Sequence, residues 1–206
     1  MLTSLETLLT LLTNSSRTLS VWIISLIVGL FFGLFIGLLT GISEKYSSYL
    51  YPILGYLRAV PPIALFPVAL IAVGPGQVSI GTVATLGAVL YVFPGVSVAA
   101  RQARDKYSDL SHVLNCSKSQ FIVMFIIPGA FQHLISSSRV AATYSFAVCV
   151  AGEMIIGGRY GMGAAILDYS ERFALEEAYL YVMVTGAVGL VIDVIFQRIS
   201  RFFVKT

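Results

Sequence analysis

The stretch LSVWIISLIVGLFFGLFIGLLTG, residues 19–41, has no charged side chain anywhere along its length. A run of about 20 apolar residues is what a helix needs to cross the roughly 30 Å hydrocarbon core of a bilayer. The rest of the chain has the same character, since 57% of its 206 residues are hydrophobic, 11% are charged and the mean hydropathy is +0.89. Water-soluble domains do not have this composition. We therefore predict an all-α integral membrane protein, with residues 1–206 forming one transmembrane domain.

Small residues recur at every fourth position of this run, at Ser25, Gly29, Gly33, Gly37 and Gly41. Residues four apart share one face of a helix. Because apolar side chains gain little by leaving lipid for one another, membrane helices associate through small residues that let their backbones approach closely. The pattern predicts that this helix packs against a neighbour along its length. The neighbour lies either in the same chain or in a second copy.

The second apolar run, residues 59–73, contains Pro61, Pro62 and Pro67. Proline removes a backbone donor and disturbs a helix, and such a backbone is tolerated at membrane depth only where protein or a water-filled cavity satisfies the freed groups. We predict a kinked or broken span that faces inward, near any transport path; a re-entrant loop is the alternative. Three uncharged or nearly uncharged runs follow, at residues 78–100, 121–152 and 178–196. Five spans result.

Basic residues predict the orientation, because cytoplasmic loops of membrane proteins carry an excess of lysine and arginine. Eight of them lie on one side of the predicted spans. Lys45 follows the first span, four flank the polar segment after the third span, and three follow the last span: Lys45; Arg101, Arg104, Lys106 and Lys118; Arg198, Arg201 and Lys205. Three fall on the other side: Arg17, Arg159 and Arg172. We expect the N-terminus outside and the C-terminus in the cytoplasm. Residues 1–18 lack a basic segment ahead of their apolar stretch, so we expect a short interfacial helix there instead of a cleaved signal peptide.

A polar segment, residues 107–118, separates the third span from the fourth. Leu110, Val113 and Leu114 recur at helical spacing and give it one apolar face. We predict a short amphipathic helix at the cytoplasmic end of the bundle. The same pattern suits two roles, a surface for another protein or a helix lying on lipid headgroups.

This segment is similar to the cytoplasmic EAA loop of ABC importer permeases, in which an acidic residue and two small residues precede a Leu-Gly pair, and an apolar-Pro step follows. The residues that match its positions are Asp109, Leu110, Ser111, Leu114, Asn115, Ser117 and Pro128. Leu110 and Asn115 depart from the small residue and the glycine of the pattern. Asparagine tolerates positive φ better than most residues, so a tight turn is still expected at Asn115.

The resemblance extends over about residues 19–204 and is strongest to permeases of the nitrate, sulfonate, taurine and bicarbonate type. LRAVPPIALFPVALIAVGPG (57–76) resembles that group's Leu-Arg-x-x-Pro segment. SSSRVAATYSFAVCVAGEMIIGGRYGMG (136–163) resembles its fourth core helix, followed by Glu and Gly-x-Gly. Most members carry a further N-terminal span, so the chain is expected to be a five-helix core of the type I importer fold with a coupling helix at residues 107–118.

The resemblance implies a permease subunit of an ATP-driven importer in the plasma (inner) membrane. Its implied partners are a second permease copy, two cytoplasmic ATPase subunits, an extracytoplasmic substrate-binding protein and the lipid bilayer. The sequence has no G-x-x-x-x-G-K-[ST] phosphate loop, so ATP and Mg²⁺ are expected in the ATPase and no cofactor in this chain. A small solute is expected, with an anion suggested by the positive charge of Arg139. A permease for amino acids or for thiamine or pyrimidine precursors is the nearest alternative; a membrane-embedded enzyme, a passive channel and a nucleic-acid-binding role fit the sequence less well.

Charged residues within or beside the spans are candidates for the translocation path, together with the three prolines of the second run. Arg139 lies near half depth, where a charge is costly unless paired or wetted; it either lines the path or caps carbonyls freed by Pro128. We expect Glu153 at the outer edge, where it lines a mouth or is simply solvated, with the mouth favoured. We expect Arg58 near the inner boundary, where its long side chain reaches water. His133 has no second ligand at metal-binding spacing, so no metal site is expected.

Overall fold

The computed structural model describes residues 4–156 and 160–204, so Arg159 and Lys205 lie outside the described residues. The described part of the chain is helical, as predicted. Its elements are α1 (Ser4–Ile42), α2 (Glu44–Ala59), α3 (Pro62–Val73), α4 (Gln77–Val113), α5 (Lys118–Phe121), a π-helical turn (Ile122–Ile126), α6 (Ile127–Ile156), α7 (Met162–Glu171) and α8 (Leu175–Val204). Four stretches are long and apolar enough to span a membrane: Leu8–Ile42, Gln77–Val113, Lys118–Ile156 and Leu175–Phe203.

The glycine ladder of α1 packs against α4 of the same chain. A Cβ atom placed at Gly33 would lie 2.7 Å from Val92 Cβ, and one placed at Gly37 would lie 2.6 Å from Val96 Cβ. Cβ atoms do not approach that closely in proteins, so glycine is what allows the two backbones to touch. The predicted packing face is confirmed, and the open question of its neighbour is answered by α4.

Helices α1 and α4 run parallel. Gly29 meets Ala88 and Gly41 meets Ala100, so both residue numbers rise together along the contact. After α1 ends, the chain must therefore run back along the whole length of this contact before α4 can start. Only α2 and α3 lie between α1 and α4 in the sequence. The proline-rich segment is thus a broken crossing, with a bend of 106° between α2 and α3.

The crossing begins earlier than the sequence suggested. The apolar run at residues 59–73 marks only α3, whose 12 residues extend about 18 Å at 1.5 Å per residue. That length is too short for a bilayer core of roughly 30 Å. The remainder comes from α2, which starts at Glu44 and contains more polar residues. Pro61 caps α3 in an extended conformation and Pro62 occupies its first turn, while Pro67 lies inside it.

Helices α6 and α8 complete the bundle in alternating directions. Gly87 and Gly95 of α4 face Tyr144 and Ser137 of α6, so residue numbers rise on one helix as they fall on the other. Phe146 of α6 in turn contacts Gly189 of α8. Over the described residues the chain therefore runs along the bundle five times, so that α1 begins at one end of the bundle and α8 ends at the other.

Two predicted helices are not separate elements. Residues 4–18 continue into the first span as part of the 39-residue α1, and residues 107–113 are the last turns of the 37-residue α4. Neither junction contains the glycine or proline that would break a helix, so each helix continues after its apolar stretch has ended. At about 55 Å, α4 is longer than a membrane core is thick.

Candidate functional site

A tight turn ends α4 and reverses the chain toward α6. Asn115 has φ 49°, as the sequence predicted, and is one of two described non-glycine residues with positive φ. The turn is closed by backbone hydrogen bonds, including Cys116 N to Ser111 O at 3.0 Å. Ser117 then caps α5: its hydroxyl accepts from Gln120 N, and the Gln120 side chain accepts from Ser117 N. The angle between α4 and α5 is thus set by local bonding.

The surface at this turn is apolar and exposed. Leu110, Val113 and Leu114 are 42%, 78% and 56% exposed, and Asp109 is exposed beside them. We call residues 109–117 the turn surface. Its side chains project from an end of the bundle, beyond the segment of α4 that packs against α1.

The π-helical turn and Pro128 lead from this surface into the bundle. Ile127 N bonds to Ile122 O, five residues earlier, which widens the helix by one residue. Pro128 follows immediately and has no N–H of its own to place in the ladder. Because Pro128 has no N–H, no backbone donor is left unpaired at the start of α6. The turn surface is joined directly to the fourth apolar span.

Charges divide the bundle into two ends. The end that carries the turn surface also carries seven basic residues: Lys45, Arg101, Arg104, Lys106, Lys118, Arg198 and Arg201. Arg104 connects α4 to the end of α1 through Ile42 O at 3.2 Å and to the start of α2 through Glu44 at 3.5 Å. The opposite end carries Arg17 and Arg172 with five carboxylates: Glu6, Asp168, Glu171, Glu176 and Glu177.

Arg139 is held by an ion pair that the sequence analysis missed. Its Nε and Nη2 atoms donate to the two carboxylate oxygens of Asp193 at 2.7 and 2.8 Å. This two-point contact joins α6 to α8 with both side chains partly buried. The capping interpretation of Arg139 needs correction, because these donors bind a carboxylate and not carbonyls freed by Pro128. The place of Arg139 on the translocation path stays a prediction. The signal was present in the sequence, because Asp193 is the single charge within residues 178–196.

Glu153 lies inside the bundle and is only 6% exposed, so its expected place at an open mouth is wrong. Its carboxylate oxygens accept from Thr18 Oγ1 at 2.8 and 2.9 Å and from Gly163 N at 2.9 Å. Met162 N donates to the same Thr18 oxygen. The carboxylate thus joins α1 and α6 to the first turn of α7, where a negative charge is stabilised by the helix dipole.

The Gly-x-Gly of residues 161–163 is required by this carboxylate. A Cβ at Gly161 would lie 2.5 Å from Glu153 Cδ, and Gly161 has φ 131°, which side chains rarely adopt. A Cβ at Gly163 would collide with the backbone oxygen of Val150. The network continues outward, because Asn14 accepts from Gly161 N and donates to Tyr181. We call Asn14, Thr18, Glu153 and residues 161–163 the carboxylate latch.

Arg58 lies deeper than the sequence suggested. It stands at the end of α2, next to the break before α3, with its Cζ atom 5.8 Å from the centre of the Tyr91 ring. Tyr91 belongs to the stretch of α4 between Ala88 and Val92, the residues that face Gly29 and Gly33. This stretch is level with the middle of the apolar run at residues 19–41. Arg58 therefore sits near mid-depth and not at the inner boundary.

Comparison with known proteins identifies the family. The family described as "Binding-protein-dependent transport system inner membrane component" matches residues 18–206. The chain belongs to this family. A bicarbonate transport system permease protein of Synechococcus elongatus is 26% identical over 80% of this chain and 59% of its own length. A nitrate import permease protein of Synechocystis is 32% identical over 71% of this chain and 54% of its own length. The chain thus spans just over half the length of these relatives.

The fold recurs among solved transporter structures. A chain of the MetNI methionine ABC transporter in an inward facing conformation superimposes with a TM-score of 0.80 at 19% identity, covering 94% of this chain and 96% of that one. A chain of an amino acid ABC transporter superimposes with a TM-score of 0.76 at 15% identity, over 98% of both chains. These likenesses concern the architecture.

Proposed function

We propose that this chain is the permease subunit of an ATP-driven ABC importer. Family membership over residues 18–206 is the observation that carries the proposal, since the relatives named above are permease proteins of transport systems. The chain forms the membrane path, and ATP with Mg²⁺ is bound by a separate ATPase. It catalyses no reaction of its own in this scheme.

The turn surface is the proposed contact with the ATPase. Three features support this role: exposed apolar side chains, a backbone turn fixed by Asn115, and a direct helical connection through Pro128 to the bundle. Asp109, Ser111 and Ser117 supply polar groups around Leu110 and Leu114. A rotation of the ATPase would be passed through α4 and α6, because both helices end at this surface.

The orientation follows from the two charged ends. Basic residues collect at the end with the turn surface, and the positive-inside rule places such an end in the cytoplasm. With five passages, the N-terminus is then outside and the C-terminus inside. The acidic end faces outward, where a substrate-binding protein would deliver the solute.

A small anion is the proposed solute. The relatives are named for bicarbonate, nitrate and aliphatic sulfonates, which are all small oxyanions. Two permease copies with two ATPase subunits would form the complete transporter, since one five-passage bundle provides half of a symmetric path.

Co-expression with a candidate ABC ATPase and a candidate substrate-binding protein tests the proposal. We expect a stable complex with two permease and two ATPase copies, and ATP-dependent uptake of bicarbonate, nitrate or ethanesulfonate into proteoliposomes. A Walker-lysine variant of the ATPase is the control for ATP dependence. Uptake that proceeds without any ATPase, by the permease alone, contradicts the proposal.

A further inference from the structure

We propose that Arg58, Tyr91 and Tyr144 form a binding site for a small oxyanion halfway along the bundle. The inference rests on the proposed function and adds to it a site and a chemical reason for anion transport. Arg139, the arginine expected there from the sequence, does not take this role.

The two arginines near mid-depth differ in how their charge is compensated. Arg139 has both carboxylate oxygens of Asp193 as partners. Arg58 is exposed, and within residues 4–156 and 160–204 no carboxylate lies within ion-pair distance of it. A charge at this depth is costly unless it faces water or an opposite charge. Arg58 thus has the positive charge that remains available to an anion.

Two tyrosines complete the site. The Tyr91 and Tyr144 rings lie 4.4 Å apart between centroids, and both are half-buried. Gly87 makes this possible, because a Cβ there would lie 2.9 Å from Tyr144 Cε1. Neither phenol hydroxyl makes a hydrogen bond within the described part of the chain, so both remain available as donors.

The chemistry of these groups suits an oxyanion. A guanidinium presents several N–H donors in a plane and binds carboxylate-like oxygens at two points, and the phenols add neutral donors. The break between α2 and α3 is compatible with a place beside a path, since interrupted backbone at membrane depth is either buried in protein or lines a water-filled cavity. The Cζ atom of Arg58 lies 5.8 Å from the centre of the Tyr91 ring, a cation–π distance that leaves the positive charge of the guanidinium in place.

Cysteine labelling tests whether position 58 faces water. Arg58→Cys and Phe31→Cys are made in a background carrying Cys116→Ser and Cys149→Ala. Phe31 is the matched control, because it is at similar depth and 64% exposed on a neighbouring helix. We expect membrane-impermeant methanethiosulfonates to modify Arg58→Cys and leave Phe31→Cys unmodified. Protection of Arg58→Cys from these reagents, with labelling by a lipid-soluble maleimide alone, overturns the inference.

Chemical rescue then tests the charge in the assembled transporter. We expect Arg58→Cys to reduce ATP-driven uptake of nitrate, bicarbonate or ethanesulfonate about tenfold or more. Modification with the cationic aminoethyl reagent should restore a large part of it, and the anionic sulfonatoethyl reagent should not. Arg17→Cys is the control, since Arg17 lies over a tyrosine ring, Tyr160, at 4.4 Å but at the acidic end. Its uptake should match that of the background with Cys116→Ser and Cys149→Ala, which is the reference for every variant here.

The outcomes separate the two proposals. If the unsubstituted complex drives no ATP-dependent uptake of any solute, the proposed function fails, and the labelling result still decides whether position 58 faces water. If it transports methionine or another solute without net charge and none of the three anions, the importer stands and the anion site falls. Equal rescue by both reagents also overturns the site, because charge would then have no role.

Discussion

Single residues in this chain are explained by partners far away along the sequence. Arg139 and Asp193 are 54 positions apart, and Thr18 and Glu153 are 135 apart. Read alone, each charge within an apolar span indicates a functional site. In the folded chain, Arg139 binds Asp193 and connects α6 to α8, and Glu153 binds the first turn of α7. Both contacts connect helices, and Arg58 remains as the charge without such a partner among the described residues.

Arg139→Leu tests the structural role of the ion pair. The substitution leaves the Asp193 carboxylate without its two donors at membrane depth, so we expect several-fold less folded protein in the membrane. Adding Asp193→Leu should recover part of the loss, because the double variant has no uncompensated charge. Fluorescence-detected size exclusion of solubilised membranes measures the amount. A normal level of the single variant would show that the pair is not needed for folding.

Substitutions at Asn115 test whether the turn needs a residue that tolerates positive φ. Asn115→Val places a β-branched side chain in a left-handed conformation, at a cost of about 1–2 kcal/mol, and we expect weaker binding of the ATPase. Asn115→Gly keeps that conformation accessible and serves as the control, with binding unchanged or slightly stronger. Co-purification of the ATPase is the measurement. Equal binding by both variants would remove the turn from the coupling role.

At the level of helices, the close contact between α1 and α4 sets the form of the bundle. Four glycines of α1 meet four small or β-branched residues of α4: Ala88, Val92, Val96 and Ala100. Residue numbers rise together on the two helices along this contact, so the helices are parallel, and a parallel pair needs a return crossing between them. The proline-rich segment supplies it as a broken helix, which is where Arg58 is placed.

Gly33→Ala tests this contact. The added methyl would lie 2.7 Å from Val92 Cβ, and overpacking of this kind costs about 1–3 kcal/mol. We expect a lower melting temperature and partial recovery when Val92→Gly is added. Gly186→Ala is the matched control, since a Cβ at Gly186 meets no atom within 4 Å; there alanine should be neutral or favourable. A Gly33→Ala melting temperature at or above that of Gly186→Ala would contradict the packing argument.

The Glu153→Ala substitution tests whether the carboxylate latch holds the start of α7 in place. Glu153→Ala removes the acceptor of the Thr18 hydroxyl and of Gly163 N, leaving buried donors unsatisfied. We expect the start of α7 to open more often and amide hydrogen exchange across residues 161–165 to become about tenfold faster. Glu171→Ala, at an exposed carboxylate in the same end of the bundle, should leave the rate unchanged. Hydrogen-exchange mass spectrometry gives the rate. Equal rates in the two variants would mean that the latch does not restrain this segment.

The elements differ in how far the sequence could predict them. The glycine face of α1 was predictable because small residues at every fourth position indicate close helix packing in lipid. Its partner was not, because Val92 lies 59 positions after Gly33 and no sequence pattern marks it as the contact. The turn at Asn115 was predictable from the residue's tolerance of positive φ. The end of α4 was not, because residues 101–113 lose apolar character without losing helix propensity. The position of Glu153 was predicted wrongly because a charged residue just after an apolar run has the same sequence pattern whether its side chain is solvated or buried.

At the scale of the whole molecule, charge and exposed apolar surface are arranged along one axis. One end combines seven basic residues with the turn surface, and the other combines carboxylates with the latch. The basic end suits the cytoplasm and an ATPase, and the acidic end suits the outside. Between them, α4 and α6 run the length of the bundle and connect the two ends mechanically.

Leu114→Asp tests this polarity. Leu114 is 56% exposed on the turn surface, and Leu175, at the acidic end, is 54% exposed, so the same substitution can be compared at both ends. A carboxylate at position 114 would be desolvated in an apolar contact and left without a partner, whereas at position 175 it would join Glu176 and Glu177 in solvent. We expect Leu114→Asp to lose the co-purifying ATPase while its membrane level stays normal, and Leu175→Asp to retain the ATPase. Retention by both variants would place the ATPase contact elsewhere. Loss by Leu175→Asp alone would reverse the assigned orientation, because the acidic end would then be the one that meets the ATPase.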